Sequence, residues 1–160
     1  EITGIRFLNG AGVEAKLFTT GEPLTLEIHY LAHRPVPDLI IGLGIVDSRN
    51  IHICGPNTSM VDLVLPAQVG PATLTYTIPA LALLDGSFSV SVAAHNQADT
   101  VMYDYHDRAY TFFVEAGSSK ERYGLLTLRG NWILVAAGET PAPLSAAVTA
   151  VAPVSTVPAR

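Results

Sequence analysis

The sequence predicts an all-β fold, an antiparallel sandwich of immunoglobulin-like or jelly-roll type, on three observations. Apolar and polar residues alternate with period two along most of the chain up to Glu115. Turn-forming residues interrupt that alternation at short intervals, and no window carries a long helical stripe.

The elements follow in order. Ile2 to Leu8 reads as a strand closed by Asn9-Gly10, and Thr20-Gly21 is the next turn. Leu26, Ile28 and Tyr30 then alternate with Glu27, His29 and Leu31 until Arg34-Pro35. Leu39 to Asp47 and Ile51 to Gly55 form two further strands around the turn Asp47 to Asn50. After Val69-Gly70-Pro71, Leu74, Tyr76 and Ile78 oppose Thr73, Thr75 and Thr77. Pro79 to Leu84 (PALALL) is expected as one short helical turn before Asp85-Gly86. From Ser87 to Ala93 the alternation is cleanest, with Phe88, Val90 and Val92 on one face and Ser87, Ser89 and Ser91 on the other. Asn96 to Asp99 turns the chain into two last strands, Val101 to Tyr105 and Tyr110 to Glu115, with Tyr103 and Tyr105 expected to face inward.

At 160 residues, 49% hydrophobic and 14% charged, the chain suits one packed domain. The nine basic residues are scattered and the net charge is −5, which argues against a nucleic-acid partner. No apolar run approaches the roughly 20 residues of a membrane helix. Cys54 is the single cysteine, so neither an intrachain disulfide nor a cysteine-based zinc framework can form. The chain opens on Glu1 without a signal-peptide pattern and is expected to be part of a longer protein. From Ala136 onward it holds 8 Ala, 4 Pro and no aromatic residue, so residues 1–135 are expected as the sandwich and 136–160 as a tail or linker.

Catalytic motifs are lacking: there is no nucleophile elbow, no glycine-rich phosphate loop and no compact ligand motif. His29 and His33 sit about 13 Å apart on a strand and cannot share a metal. Asp104 and His106 would face the same way, with His95 or Asp99 as a conceivable third ligand, but the segment reads as a polar hairpin end. The reading is therefore of a non-catalytic domain without metal or cofactor. The feature that suggests a ligand is the set of short hydroxyl side chains, Thr73, Thr75, Thr77, Ser87, Ser89 and Ser91, bordered by His29 and His95. Small hydroxyls on a shallow sheet, with an aromatic ring from Tyr30, Tyr76, Tyr110 or Trp132, suit a sugar.

One ordered set of residues resembles a known family. Phe18-Thr19-Thr20-Gly21-Glu22-Pro23-Leu24, Tyr30, Gly55-Pro56-Asn57-Thr58, Leu81-Ala82-Leu83-Leu84-Asp85-Gly86-Ser87-Phe88, Tyr103-Asp104, Phe112-Phe113-Val114, Gly124 and Trp132 are similar to the C-terminal domain of the ATP-binding subunit of polysaccharide ABC exporters of the Wzt, O-antigen type. The resemblance implies a carbohydrate-binding domain on the cytoplasmic side of the bacterial inner membrane. There it would work with an ATPase domain and a membrane subunit, and select a lipid-linked polysaccharide by its terminal epitope. It also implies a homodimer formed partly by exchange of a C-terminal strand, here Leu125 to Leu134. The glycan-contacting residues expected from the polar face and loop ends are His29, Asn57, Thr75, Ser89, Ser91, His95, Tyr103 and His106. The alternative is a structural or adhesive sandwich of a cell-surface protein.

Overall fold

The computed structural model describes residues 1–130, 132–135 and 137–138. Its described elements are β1 (Ile2–Leu8), β2 (Leu17–Thr19), β3 (Leu24–Ala32), β4 (Leu39–Asp47), β5 (His52–Cys54), a 3-10 turn (Thr58–Val61), β6 (Gly70–Ile78), β7 (Gly86–Asn96) and β8 (Met102–Glu115). They form a three-stranded sheet, β1-β3-β6, and a five-stranded sheet, β2-β8-β7-β4-β5. Every pairing is antiparallel except that of β2 with β8.

Alternation fixes which side chains meet between the sheets. Leu24, Leu26, Ile28 and Tyr30 of β3 are buried, and so are Leu39, Ile41, Leu43 and Ile45 of β4 and Phe88, Val90, Val92 and Ala94 of β7. At the centre, the Phe112 ring lies 5.3 Å from that of Phe7, 6.0 Å from Phe18 and 5.5 Å from Phe88, between centroids. Strands far apart in sequence thus converge on one ring.

Asp104 adds a polar tie. Its Oδ2 accepts from the Ile2 N–H at 2.6 Å, linking β8 to the start of β1. That hydrogen bond, helped by the Tyr105 N–H, holds the Asp104 carboxyl below the usual carboxylate range against the opposing effect of burial. A carboxyl whose folded pKa is depressed stabilises the fold above its unfolded value and loses that contribution as pH falls through the folded one. The protein is therefore expected to lose stability on acidification below about pH 4. Asp104→Ala should cost about 1–2 kcal/mol at neutral pH in denaturant titrations and show a shallower acid dependence.

Several expected elements take a different form. Pro79 to Leu84 is not helical. Leu81, Leu83 and Leu84 are all buried, and the Leu81 N–H donates to Glu22 while its carbonyl accepts from Gly21, so the segment runs extended beside the β2–β3 turn. The one 3-10 turn among the described residues is instead Thr58–Val61, where Asn57 Oδ1 accepts from the Met60 N–H at 2.9 Å as the N-cap. The two final strands are a single one, β8, because its polar stretch forms a bulge rather than a loop. Tyr105 points outward and is 52% exposed, whereas Tyr103, 37% exposed and unpaired in a second bulge, borders a hollow shared with buried Tyr30, Leu39 and Ala94.

The compact unit that holds all these strands spans Glu1–Arg129, and a second begins at Gly130. Of the strand expected over Leu125 to Leu134, the described residues retain one bridge, Leu126 to Leu83. Arg129 has φ 52°, which ends the extended run. Apart from 137 and 138, which form a turn, the expected tail over 136–160 lies outside the described residues.

Candidate functional site

The outward face of the five-stranded sheet carries a groove of about 470 Å³. Its floor is made by cross-strand pairs of small residues, Gly42 with Ala93 and Gly44 with Ser91, on β4 and β7. Without larger side chains the sheet backbone lies bare. A Cβ on Gly44 would sit 3.7 Å from both Ser91 Cβ and His52 Cε1, and one on Gly42 3.4 Å from Asn57 Cβ.

Each wall follows from the strand order. Beyond β4 comes β5, which with the loop after it supplies His52, Gly55, Pro56 and Asn57; beyond β7 comes β8, which supplies Tyr105, Asp107 and Arg108. His95 stands at one end of the groove and Asn50 at the other. Asp47 builds the second end. Its Oδ1 accepts from the N–H groups of Arg49 at 2.9 Å and Ile51 at 2.8 Å, which closes the β4–β5 turn with Asn50 at φ 62°. Burial alone would raise the Asp47 pKa, but the Ile51 and Arg49 hydrogen bonds outweigh it and the net shift is downward.

The bulge makes the other wall polar. Val90 pairs with Tyr110 and Val92 with His106, so three residues of β8, Asp107 to Ala109, oppose Ser91 alone. Ser91 Oγ accepts from the Arg108 N–H at 2.8 Å and donates to Asp107 Oδ1 at 3.2 Å, while Arg108 adopts φ 47°. One hydroxyl thereby pins the bulge. The Arg108 guanidinium grips Asp107 Oδ2 through Nε at 3.0 Å and Nη2 at 2.5 Å, and its Nη1 donates to Asn50 Oδ1 at 3.1 Å. Tyr105 donates its hydroxyl to Asp107 Oδ1 at 3.0 Å, leaving its half-exposed ring beside the groove. These hydrogen bonds, that from Arg108 foremost, hold the Asp107 carboxyl below its usual range.

Of the eight residues expected from sequence, Asn57, Ser91 and His95 line this groove. Ser89 shares their outward face but does not reach the cavity. His29 and Thr75 lie on the outer face of the other sheet, where His29 bonds Thr73 at 3.1 Å and Glu27 at 2.9 Å. Tyr103 borders a separate hollow with Tyr30, His33 and Val36. His106 pairs across from buried Val92, and its Nδ1 bonds the Tyr110 hydroxyl at 2.7 Å. The expected hydroxyl face is thus two faces on opposite sides of the sandwich, threonines on β6 and serines on β7. Alternation separates in from out but does not say to which sheet a strand belongs.

The expected stacking tyrosines also differ. Tyr30, Tyr76 and Tyr110 all have phenol pKa values raised by burial, and Tyr105 is the ring that borders the groove. Asp104 and His106 do lie together, 3.7 Å apart, but no group of three or more His, Cys, Asp or Glu among the described residues could hold a metal. The sequence did not point to Gly42, Gly44, Asn50 or His52, and the run Tyr103 to Arg108, which holds Asp107 and Arg108, reads from sequence as a polar hairpin end. Glycines two apart within an apolar strand are the signal that was available, since they mark a close approach to the backbone.

Comparison with known proteins agrees with this architecture. The crystal structure of the C-terminal domain of Wzt superposes with a TM-score of 0.73 at 13% identity, covering 84% of this chain and 83% of that one. A CARDB domain of a Pyrococcus furiosus protein, in complex with di-metal ions, covers 72% of this chain and 94% of its own at 10% identity, but its TM-score of 0.41 is too low to bear on fold or function. A search of the curated proteins finds no match. The family model described as the Wzt C-terminal domain matches residues 1–128, which is the whole compact unit but for its last residue. The chain belongs to the Wzt C-terminal domain family, a family of ABC-transporter subunit domains.

Proposed function

We propose that this domain is the non-catalytic carbohydrate-recognition module of a polysaccharide exporter, binding the terminal epitope of a lipid-linked, O-antigen-like glycan. The observation that carries the reading is the groove on the five-stranded sheet. A glycine- and alanine-rich floor lets a sugar ring lie against the backbone, and hydrogen-bonding groups converge on it from both walls. Tyr105 offers a ring to the apolar C–H face of the sugar. The domain would act on the cytoplasmic side of the inner membrane, coupled to an ATPase domain and a membrane subunit. A homodimer that exchanges the Leu125 to Leu134 segment would present two grooves and raise a weak affinity through effective concentration.

Calorimetric titration with the surface polysaccharide of the source bacterium, beside that of an unrelated strain, tests this reading. Saturable binding to the cognate polymer alone is expected. It should weaken at least about tenfold when Ser91 and His95 are both replaced by alanine, which is roughly 1.4 kcal/mol. Binding to neither polymer would favour a structural or adhesive domain instead.

A further inference from the structure

Resting on that glycan reading, we infer that the groove selects an uncharged sugar end and rejects one that carries a carboxylate or phosphate. Apart from the histidines, the charged side chains lining it are Asp107 and Arg108. They neutralise one another. Arg108 spends Nε and Nη2 on Asp107 and Nη1 on Asn50, so its guanidinium is already partnered along the edge that would clamp an anion. An incoming carboxylate or phosphate would have to displace Asp107 or sit beside it. Displacement would strand a carboxylate that also organises the Ser91 and Tyr105 hydroxyls, and coexistence would set two like charges against each other.

The remaining groups suit hydroxyls, which both donate and accept. His95 Nδ1 lies 2.9 Å from the Asn96 carbonyl and 3.3 Å from Asp99 Oδ1, both acceptors only, so Nδ1 carries a proton and Nε2 is the nitrogen left for a ligand. Asn57 spends Oδ1 on the Met60 N–H and Asn50 spends its own on Arg108, leaving both amide NH₂ groups as donors. These groups thus stand at separate points around a floor on which the Asp107 and Arg108 charges cancel.

Two measurements decide it. Amide chemical shifts of Asn50, Tyr105 and Arg108 are followed as inorganic phosphate is added at millimolar concentration. The wild-type protein is expected to show no saturable shift, whereas Asp107→Asn, which keeps the side chain's shape and one oxygen to accept from Ser91 and Tyr105 but replaces the oxygen that Arg108 grips, gains one. Saturable phosphate binding to the wild-type groove would overturn the inference. In the second, the source polysaccharide is compared with a sample whose carboxylates have been reduced to alcohols and whose phosphate monoesters have been removed enzymatically. Affinities within about twofold support an uncharged epitope, and a loss of about tenfold or more on neutralisation overturns it. That second result would leave the groove standing as a glycan site, whereas failure of the untreated polymer to bind would remove the glycan reading itself.

Discussion

Gly44→Val is expected to abolish polysaccharide binding while leaving the domain folded. Gly44 faces outward from β4 at the centre of the groove floor, and its backbone lies outside the left-handed region that favours glycine. An added Cβ would meet Ser91 and His52 at 3.7 Å, ordinary van der Waals contact, and β-branched residues suit strands. The two valine methyls would then occupy the space a sugar ring needs. Affinity for the cognate polymer should fall by at least about a hundredfold, or roughly 2.7 kcal/mol. Thermal unfolding should move by only a few degrees, because a surface substitution in an unstrained strand is near neutral.

Phe112→Ala should have the opposite profile, a large loss of stability before any specific effect on binding. Phe112 is fully buried and its ring meets those of Phe7, Phe18 and Phe88, from β1, β2 and β7. Truncation removes the transfer free energy of the ring and leaves a cavity that three surrounding rings cannot readily fill. The expected cost is about 3–5 kcal/mol. For a domain whose total stability is of order 5–15 kcal/mol, that is a large share, and the thermal midpoint should drop by about 10 °C or more. Phe113, the next residue, points outward and is 46% exposed, so Phe113→Ala provides a comparison with a much smaller expected effect.

This contrast between neighbours shows what a period-two pattern reveals. The buried members of β3, β4 and β7 could be named from alternation, and the ordered resemblance to the Wzt family was carried largely by such core positions and turns. The site was harder to see for a physical reason. It is made where β4 and β7 become neighbours across the chain, and pairing is a long-range property. Ser91 was found because hydroxyls attract notice. Gly44, its partner across the ladder, was not, because its contribution is the absence of a side chain. The bulge was also hidden. Asp107 to Ala109 reads as a loop between two strands, whereas the Ser91 hydroxyl holds those residues within one strand and turns Arg108 toward Asp107 and Asn50. Conversely, His29 and Thr75 looked equivalent to Ser91 and His95 until sheet membership placed them on the opposite face.

The footprint of the bound polysaccharide on the backbone amides tests the central claim most directly. Adding the cognate polymer to isotopically labelled protein is predicted to shift Gly42, Gly44, Ser91, Ala93, Tyr105 and Arg108, with Thr73, Thr75, Thr77 and His29 unchanged. Shifts concentrated on the threonine face of the three-stranded sheet, with the groove silent, would contradict the account.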